Sequence, residues 1–276
     1  MRYYIKVESF YMNRLLFILL EQINHEPYDS VDFIIALYIL NNMQYIKKIS
    51  IQELANATMV SKSTISRFCR KIGYEDYNEL MYDLNRGSDR WGDYSQHPLI
   101  QGDYRKYLKT IAEIALELDK TVDYDSIKDI VEDMYSYTNI YLMGSMQAYT
   151  PALTLQEELC ASGKVTLAPA IFSLQTEAIL RAEESDLFIV FSKSGKFFDR
   201  IFINHSNRDV LKKPKIWLIT ANPNLKESSV YNRILYIPQN ERFEEHPLKF
   251  IMVANMIALA YAEHVKEISE NESFVS

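Results

Sequence analysis

Residues 50–73 read SIQELANATMVSKSTISRFCRKIG. The spacing predicts two short helices, 51–57 and 62–72, joined by a turn too short for any other element. Ser50 precedes Ile51-Gln52-Glu53, the S-x-x-E pattern in which a serine hydroxyl and a glutamate carboxylate satisfy each other's backbone donors. Ser61 stands before the second helix, and Gly73 is placed as its left-handed stop. Ala55 lies where two crossing helices approach closely, so a small residue suits it. Ile51, Leu54, Val60, Ile65, Phe68, Cys69 and Ile72 form an inner face. Ser63, Ser66, Arg67 and Arg70 then fall at i, i+3, i+4 and i+7 on the outer face. Lys62 and Lys71 flank them, and Thr64 completes the polar set. Between Ser61 and Tyr74 the chain carries four basic residues and no acidic one.

That outer face suits DNA. A recognition helix presents its N-terminal residues to base edges in the major groove. Arginine pairs bidentately with guanine, and serine and threonine are permissive. Lysines and arginines farther along meet phosphates. The candidate DNA contacts are Lys62, Ser63, Thr64, Ser66, Arg67, Arg70 and Lys71. By spacing alone, a helical hairpin with a solvated basic face fits equally well. The global charge hides this patch. The 276 residues carry a net charge of −7, yet residues 1–90 balance 11 Lys/Arg against 11 Asp/Glu. The acidic excess belongs to the remainder.

Upstream, 13–24 and the segment after Asp29 or Ser30 read as further helices, the second with Phe33, Ile34, Leu37, Tyr38 and Leu40 as its buried positions. Downstream, 86–103 (RGSDRWGDYSQHPLIQGD) holds three of the seven glycines and has no helical or strand period. It reads as a linker, so the expected division is a helical domain 1–85, a linker 86–103 and a domain 104–276. In that last part, short apolar strands at 140–143, 165–168, 187–191, 216–220 and 234–237 alternate with helical patterns at 151–161, 174–184 and 197–210. Helices are also expected at 104–119, 126–135 and 247–265. Alternation predicts a doubly wound, mainly parallel, five-stranded sheet. The fold class is therefore α followed by α/β.

The stretch SIQELANATMVSKSTISRFCRKIGYEDYNEL resembles the N-terminal domain of the RpiR/MurR family of bacterial transcriptional regulators. The pattern S-I-x-E-L-A, then V-S-x-x-T-I-x-R-F-C-R-K-I-G-Y, then Y-x-E-L, is matched almost throughout. The resemblance implies operator binding through 62–71. It also implies a C-terminal SIS (sugar isomerase) domain, with a sugar phosphate or related metabolite as effector in sugar or amino-sugar metabolism. In such domains a strand ends in S-x-S-G-x-T, whose hydroxyls and amides hold a phosphate at a helix N-terminus. Here Ser192-Lys193-Ser194-Gly195-Lys196-Phe197 stands at that place. Ser145, Ser192, Ser194, Gly195 and Thr220 are the candidate ligand residues, at the strand ends where open α/β sheets bind ligands.

This chain departs from that pattern. G-x-G-x-S at the first strand becomes Gly144-Ser145-Met146-Gln147-Ala148, and the threonine becomes Phe197. Two expected hydroxyls are missing. Three readings stay open: a sugar phosphate held by fewer contacts, a less charged ligand, or a closed pocket in a domain kept for dimerisation.

Other chemistry finds little footing. His25, His97, His205, His246 and His264 are scattered without metal-ligand spacing. Cys69 and Cys160 are far apart and form no CxxC. No metal, cofactor or catalytic residue is expected. Glu157-Glu158 and Glu244-Glu245 are the only acidic pairs placed to serve an isomerase, and acidic pairs on helices usually form solvated faces. The strongest apolar run, 251–262, is shorter than a membrane span, and the first ten residues lack a signal-type apolar core. A cytoplasmic location follows. The apolar final helix is expected to be buried against another surface, with a homodimer as the simple explanation.

Overall fold

A computed structural model describes residues 14–43, 45–46, 49–87, 104–202, 208–228, 230–238 and 247–275. The chain forms two compact units, Met1–Gln101 and Gly102–Ser276.

The first unit is helical: α1 Arg14–His25, α2 Val31–Asn41, α3 Ile51–Ala57, α4 Lys62–Lys71 and α5 Tyr77–Gly87. The expected caps are present. Ser30 caps α2 by accepting from the Phe33 amide. Ser50 and Glu53 form the full capping box on α3. Ser61 accepts from the Thr64 amide at the start of α4, and Gly73 closes that helix at φ +89°. Leu54, Ala55, Ile65, Phe68, Cys69 and Ile72 join α1, α2 and α5 in one core.

The buried face of α2 differs from expectation. Ile35, Ala36 and Ile39 are buried, whereas Ile34 is 39% exposed. Phe33, Leu37, Tyr38 and Leu40 are half-buried. The sequence VDFIIALYILN is apolar around its whole circumference, so no periodicity selects a face. Packing chose it. α5 runs through Gly87, so Arg86 and Gly87 are helix rather than linker. Residues 88–103 lie outside the described residues.

The second unit opens with α6 Tyr104–Thr121 and α7 Tyr124–Ser136, whose N-cap Asp123 accepts from the Asp125 and Ser126 amides. β1 Asn139–Gly144, β2 Asp186–Phe191, β3 Lys215–Thr220 and β4 Arg233–Tyr236 follow, all parallel, in the order β1-β2-β3-β4. The expected fifth strand at 165–168 shrinks to a single parallel bridge, Tyr141 with Leu167, on the free edge of β1. Its position is preserved. The chain reaches that edge through α8 Tyr149–Ala161 and returns to β2 through α9 Phe172–Leu180.

The two excursions use opposite faces. Leu187, Ile189, Phe191, Trp217 and Ile219 point to the face covered by α7, α8 and the long final helix α11 Leu248–Val275. Phe188, Val190, Ile216 and Leu218 point to the face of α9 and α10 Phe197–Ile201. Strand period two assigns the faces. Doubly wound topology therefore holds, with its switch point between β1 and β2.

α11 is long and apolar enough to cross a membrane by length and composition. Here Phe250, Val253, Ala254, Ile257, Ala258 and Tyr261 fill its own unit's core. That side of the helix is thus covered within its own unit, whereas Leu259 stays 69% exposed.

Candidate functional site

The first candidate site is α4. Ile65, Phe68 and Cys69 anchor one side of the helix in the core. Burial pushes the Cys69 thiol up to about 11, so it is a packing group. The opposite side presents Lys62, Ser63, Arg67 and Arg70, all exposed, with Thr64 and Ser66 half-buried. The N-terminal turn is a linked set of hydroxyls. Ser61 Oγ lies 2.7 Å from Ser63 Oγ and 2.9 Å from Thr64 Oγ1. Arg67 donates to Thr64 Oγ1 at 3.3 Å. Thus one arginine lies back along the helix toward the end that would face base edges.

Lys71 makes two ion pairs at the far end of the helix. Its ammonium sits 2.5 Å from Glu26 and 2.6 Å from Asp32, at the corner between α1 and α2. Burial pulls its pKa down, but the two carboxylates outweigh this and raise it. Its charge is thus shared with two carboxylates, while about half of the side chain stays exposed. Among the described residues, no carboxylate pairs with Lys62, Arg67 or Arg70. Beside them a cleft of about 500 Å³ is lined by Val31, Asp32, Val60, Ser61, Thr64, Arg67, Phe68 and Lys71.

The second candidate site is the carboxyl edge of the sheet. Gly144 ends β1 in such close quarters that a Cβ there would lie 2.0 Å from Ala148 O. Met146 follows at φ +65°, a left-handed backbone where the SIS pattern carries glycine. Gly195, after β2, stands at φ +71°, and a Cβ would meet Leu225 Cδ1 at 1.9 Å. Tyr231 donates to its carbonyl at 2.7 Å, and Asn222 donates to Ser194 O at 3.0 Å. The loops after β2 and β3 are thus laced together.

The expected ligand residues separate into two groups. Ser192 is nearly buried, Ser194 is exposed, and Gly195 shapes the turn between them. Thr220 is fully buried. Its hydroxyl donates to Lys193 O at 3.1 Å and accepts from the Asn222 amide at 3.2 Å, so it braces the loops. Ser145 Oγ is buried with no partner. Phe197 packs in the hydrophobic core, edge-on to Phe198 at 5.2 Å, and Ala148 is 6% exposed. The helix after Gly195 is only five residues long, against an expected 197–210. The dipole expected to hold a phosphate there is correspondingly weak.

Sequence reasoning missed Gln175. It is 2% exposed on α9, and its amide nitrogen donates to Gly144 O at 2.9 Å and Pro169 O at 2.8 Å. No local pattern marks it, since only topology brings α9 to the end of β1. Glu157 and Glu158 are solvent-exposed on α8, as acidic pairs usually are. Residues 244–246 lie outside the described residues, as do His97 and His205. His264 packs edge-on against Tyr135 at 5.1 Å. No group of three or more His, Cys, Asp or Glu able to hold a metal occurs among the described residues.

Comparison with known proteins follows this geometry. The model of the helix-turn-helix domain of the rpiR family matches residues 18–88, which run from within α1 past the end of α5. The HTH-type transcriptional regulator HexR of Pseudomonas aeruginosa is 27% identical over 199 residues, covering 69% of this chain and 70% of that protein. An uncharacterized HTH-type transcriptional regulator of Caldanaerobacter subterraneus is 48% identical over 46 residues, 17% of this chain and 16% of its own. The solved structure of the Vibrio vulnificus NanR protein complexed with ManNAc-6P is 20% identical and covers 95% of this chain and 97% of its own, with a TM-score of 0.48. Residues 18–88 thus match the helix-turn-helix domain of the rpiR family, and the chain is similar to HexR at the identity and coverage given above.

Proposed function

We propose that α4 enters the DNA major groove, with Lys62, Ser63, Thr64, Ser66, Arg67 and Arg70 as its contacts, and that the carboxyl edge of the sheet takes a sugar phosphate or related metabolite that modulates binding. The observation that carries the DNA reading is the exposed basic side of α4, where Lys62, Arg67 and Arg70 pair with no carboxylate among the described residues. Arginines in this setting read guanine or phosphate. The observation behind the effector reading is the switch point between β1 and β2, where Ser145 and Ser192 directly follow the paired strand ends Gly144 and Phe191. The role in this reading is regulatory, which the likeness to the transcriptional regulator HexR supports. A helical unit and an α/β unit on either side of residues 88–103 suit a protein whose effector domain biases a paired DNA-binding domain, and the location is cytoplasmic. Such a bias requires two states with different effector affinity.

A second reading keeps the α/β unit as a homodimerising module without a ligand. The burial of Phe197 and Ala148 favours it. Fluorescence anisotropy with DNA from upstream of the gene, at two salt concentrations against scrambled competitor, tests the DNA reading. Sequence-preferring, salt-weakened binding is expected; equal affinity for scrambled DNA overturns it. Adding hexose, hexosamine and N-acetylhexosamine 6-phosphates, N-acetylmannosamine 6-phosphate included, separates the other two readings. A shift in operator affinity supports an effector, whereas no shift with an intact dimer supports the pairing module.

A further inference from the structure

Two buried polar atoms near the end of β1 have no partner among the described residues: Ser145 Oγ and Gln175 Oε1. The Gln175 amide cannot be turned around. Both of its N–H groups are spent on carbonyls, Gly144 O and Pro169 O. A flipped amide would set its oxygen against those two oxygens. Oε1 is therefore fixed as an acceptor without a donor, on a residue 2% exposed. Ser145 follows directly on the Gly144 carbonyl that Gln175 holds. A buried polar atom left unpaired is costly and calls for a reason. Met146, next in sequence, adds a strained left-handed backbone to the same turn. An orphaned hydroxyl and a strained residue thus share the turn after β1, and the orphaned Gln175 oxygen belongs to a side chain on α9 that is bonded to the last carbonyl before that turn.

We propose that Gln175 and Ser145 form the sugar-recognising half of the effector crevice, taking one ligand hydroxyl that donates to Gln175 Oε1 and accepts from Ser145 Oγ. This rests on the reading of the strand ends as an effector site. The chemistry selects a hydroxyl. An acceptor oxygen repels phosphate, so the anion goes to the Ser192–Gly195 turn and the neutral polyol part of the ligand to β1. Gln175 is thereby a specificity residue, and the turn at Ser145–Met146 shifts to admit the hydroxyl.

The test uses calorimetric titration of the full-length protein with hexose, hexosamine and N-acetylhexosamine 6-phosphates, each against inorganic phosphate, together with thermal unfolding. Ser145→Ala removes a hydroxyl that has no partner among the described residues. Its unfolding midpoint should be unchanged or higher, while affinity for the sugar phosphate falls about three- to tenfold and affinity for inorganic phosphate holds. Gln175→Met should lose sugar-phosphate affinity at least as far, again sparing inorganic phosphate, with a lower midpoint from its two lost carbonyl bonds. The ratio of the two affinities is the readout that a structural role leaves unmoved. An unchanged ratio in both variants overturns the inference alone, as does a parallel loss of phosphate and sugar phosphate. A wild-type protein that binds its operator but no sugar phosphate removes the effector reading and this inference with it.

Discussion

Arg67 and Arg70 share a helix with Lys71, yet the three cations differ in what they can give to DNA. Lys71 already has two carboxylates within 2.6 Å, and leaving them for a phosphate gains little. Arg67→Ala with Arg70→Ala should weaken specific binding by about 1–3 kcal/mol for each arginine that reads a base, with circular dichroism unchanged because both are exposed. Lys71→Ala should cost stability and leave operator affinity almost intact. Equal losses from both changes, measured by anisotropy, would show that Lys71 is released to DNA. Met146 poses a different residue-scale question. A non-glycine residue at φ +65° carries about 1–2 kcal/mol of backbone strain, partly offset in any glycine variant by a more flexible unfolded chain. Met146→Gly should therefore raise unfolding stability by about 0.5–1 kcal/mol in urea titration.

At the scale of elements, caps decide where the first unit's helices begin. Ser50 accepts from the Glu53 amide at 3.2 Å, and Glu53 accepts from the Ser50 amide at 2.7 Å. Those bonds to Ser50, backbone first, hold the Glu53 carboxyl below its ordinary value. Ser50→Ala should cost about 1 kcal/mol. The sign with pH follows from the depressed pKa. The contribution is present above the ordinary glutamate value and is lost as pH falls through the lower value of the folded state. The gap between wild type and Ser50→Ala should thus be widest near neutrality and narrow in acid, as denaturation midpoints at several pH values would show. α2 teaches the opposite lesson. Its caps were legible in Ser30, but its buried face was not, because an all-round apolar helix offers nothing for periodicity to select.

At the scale of the whole molecule, the two cysteines report on the two units separately. Cys69 is buried in the first core and Cys160 is exposed on α8. A thiol reagent should titrate Cys160 at once in the native protein and reach Cys69 only when the helical unit opens, so the slow phase measures that unit's unfolding. Rapid reaction of both thiols would show a loosely held helical core.

The sequence by itself determined the helix-turn-helix, its capping residues and its exposed basic face, because all of these depend on neighbours within a few turns. It also determined the parallel sheet, since short apolar strands alternating with helices permit few other solutions. Tertiary structure alone decided three things. It turned Lys71 toward Glu26 and Asp32, residues some forty positions away. It gave the apolar side of α11 to its own unit's core. It brought Gln175 from α9 to the Gly144 carbonyl, thirty-one residues back. The physical reason is common to all three: periodicity and capping act over one or two turns, whereas charge pairing, core filling and buried amide bonds join whatever the topology sets side by side.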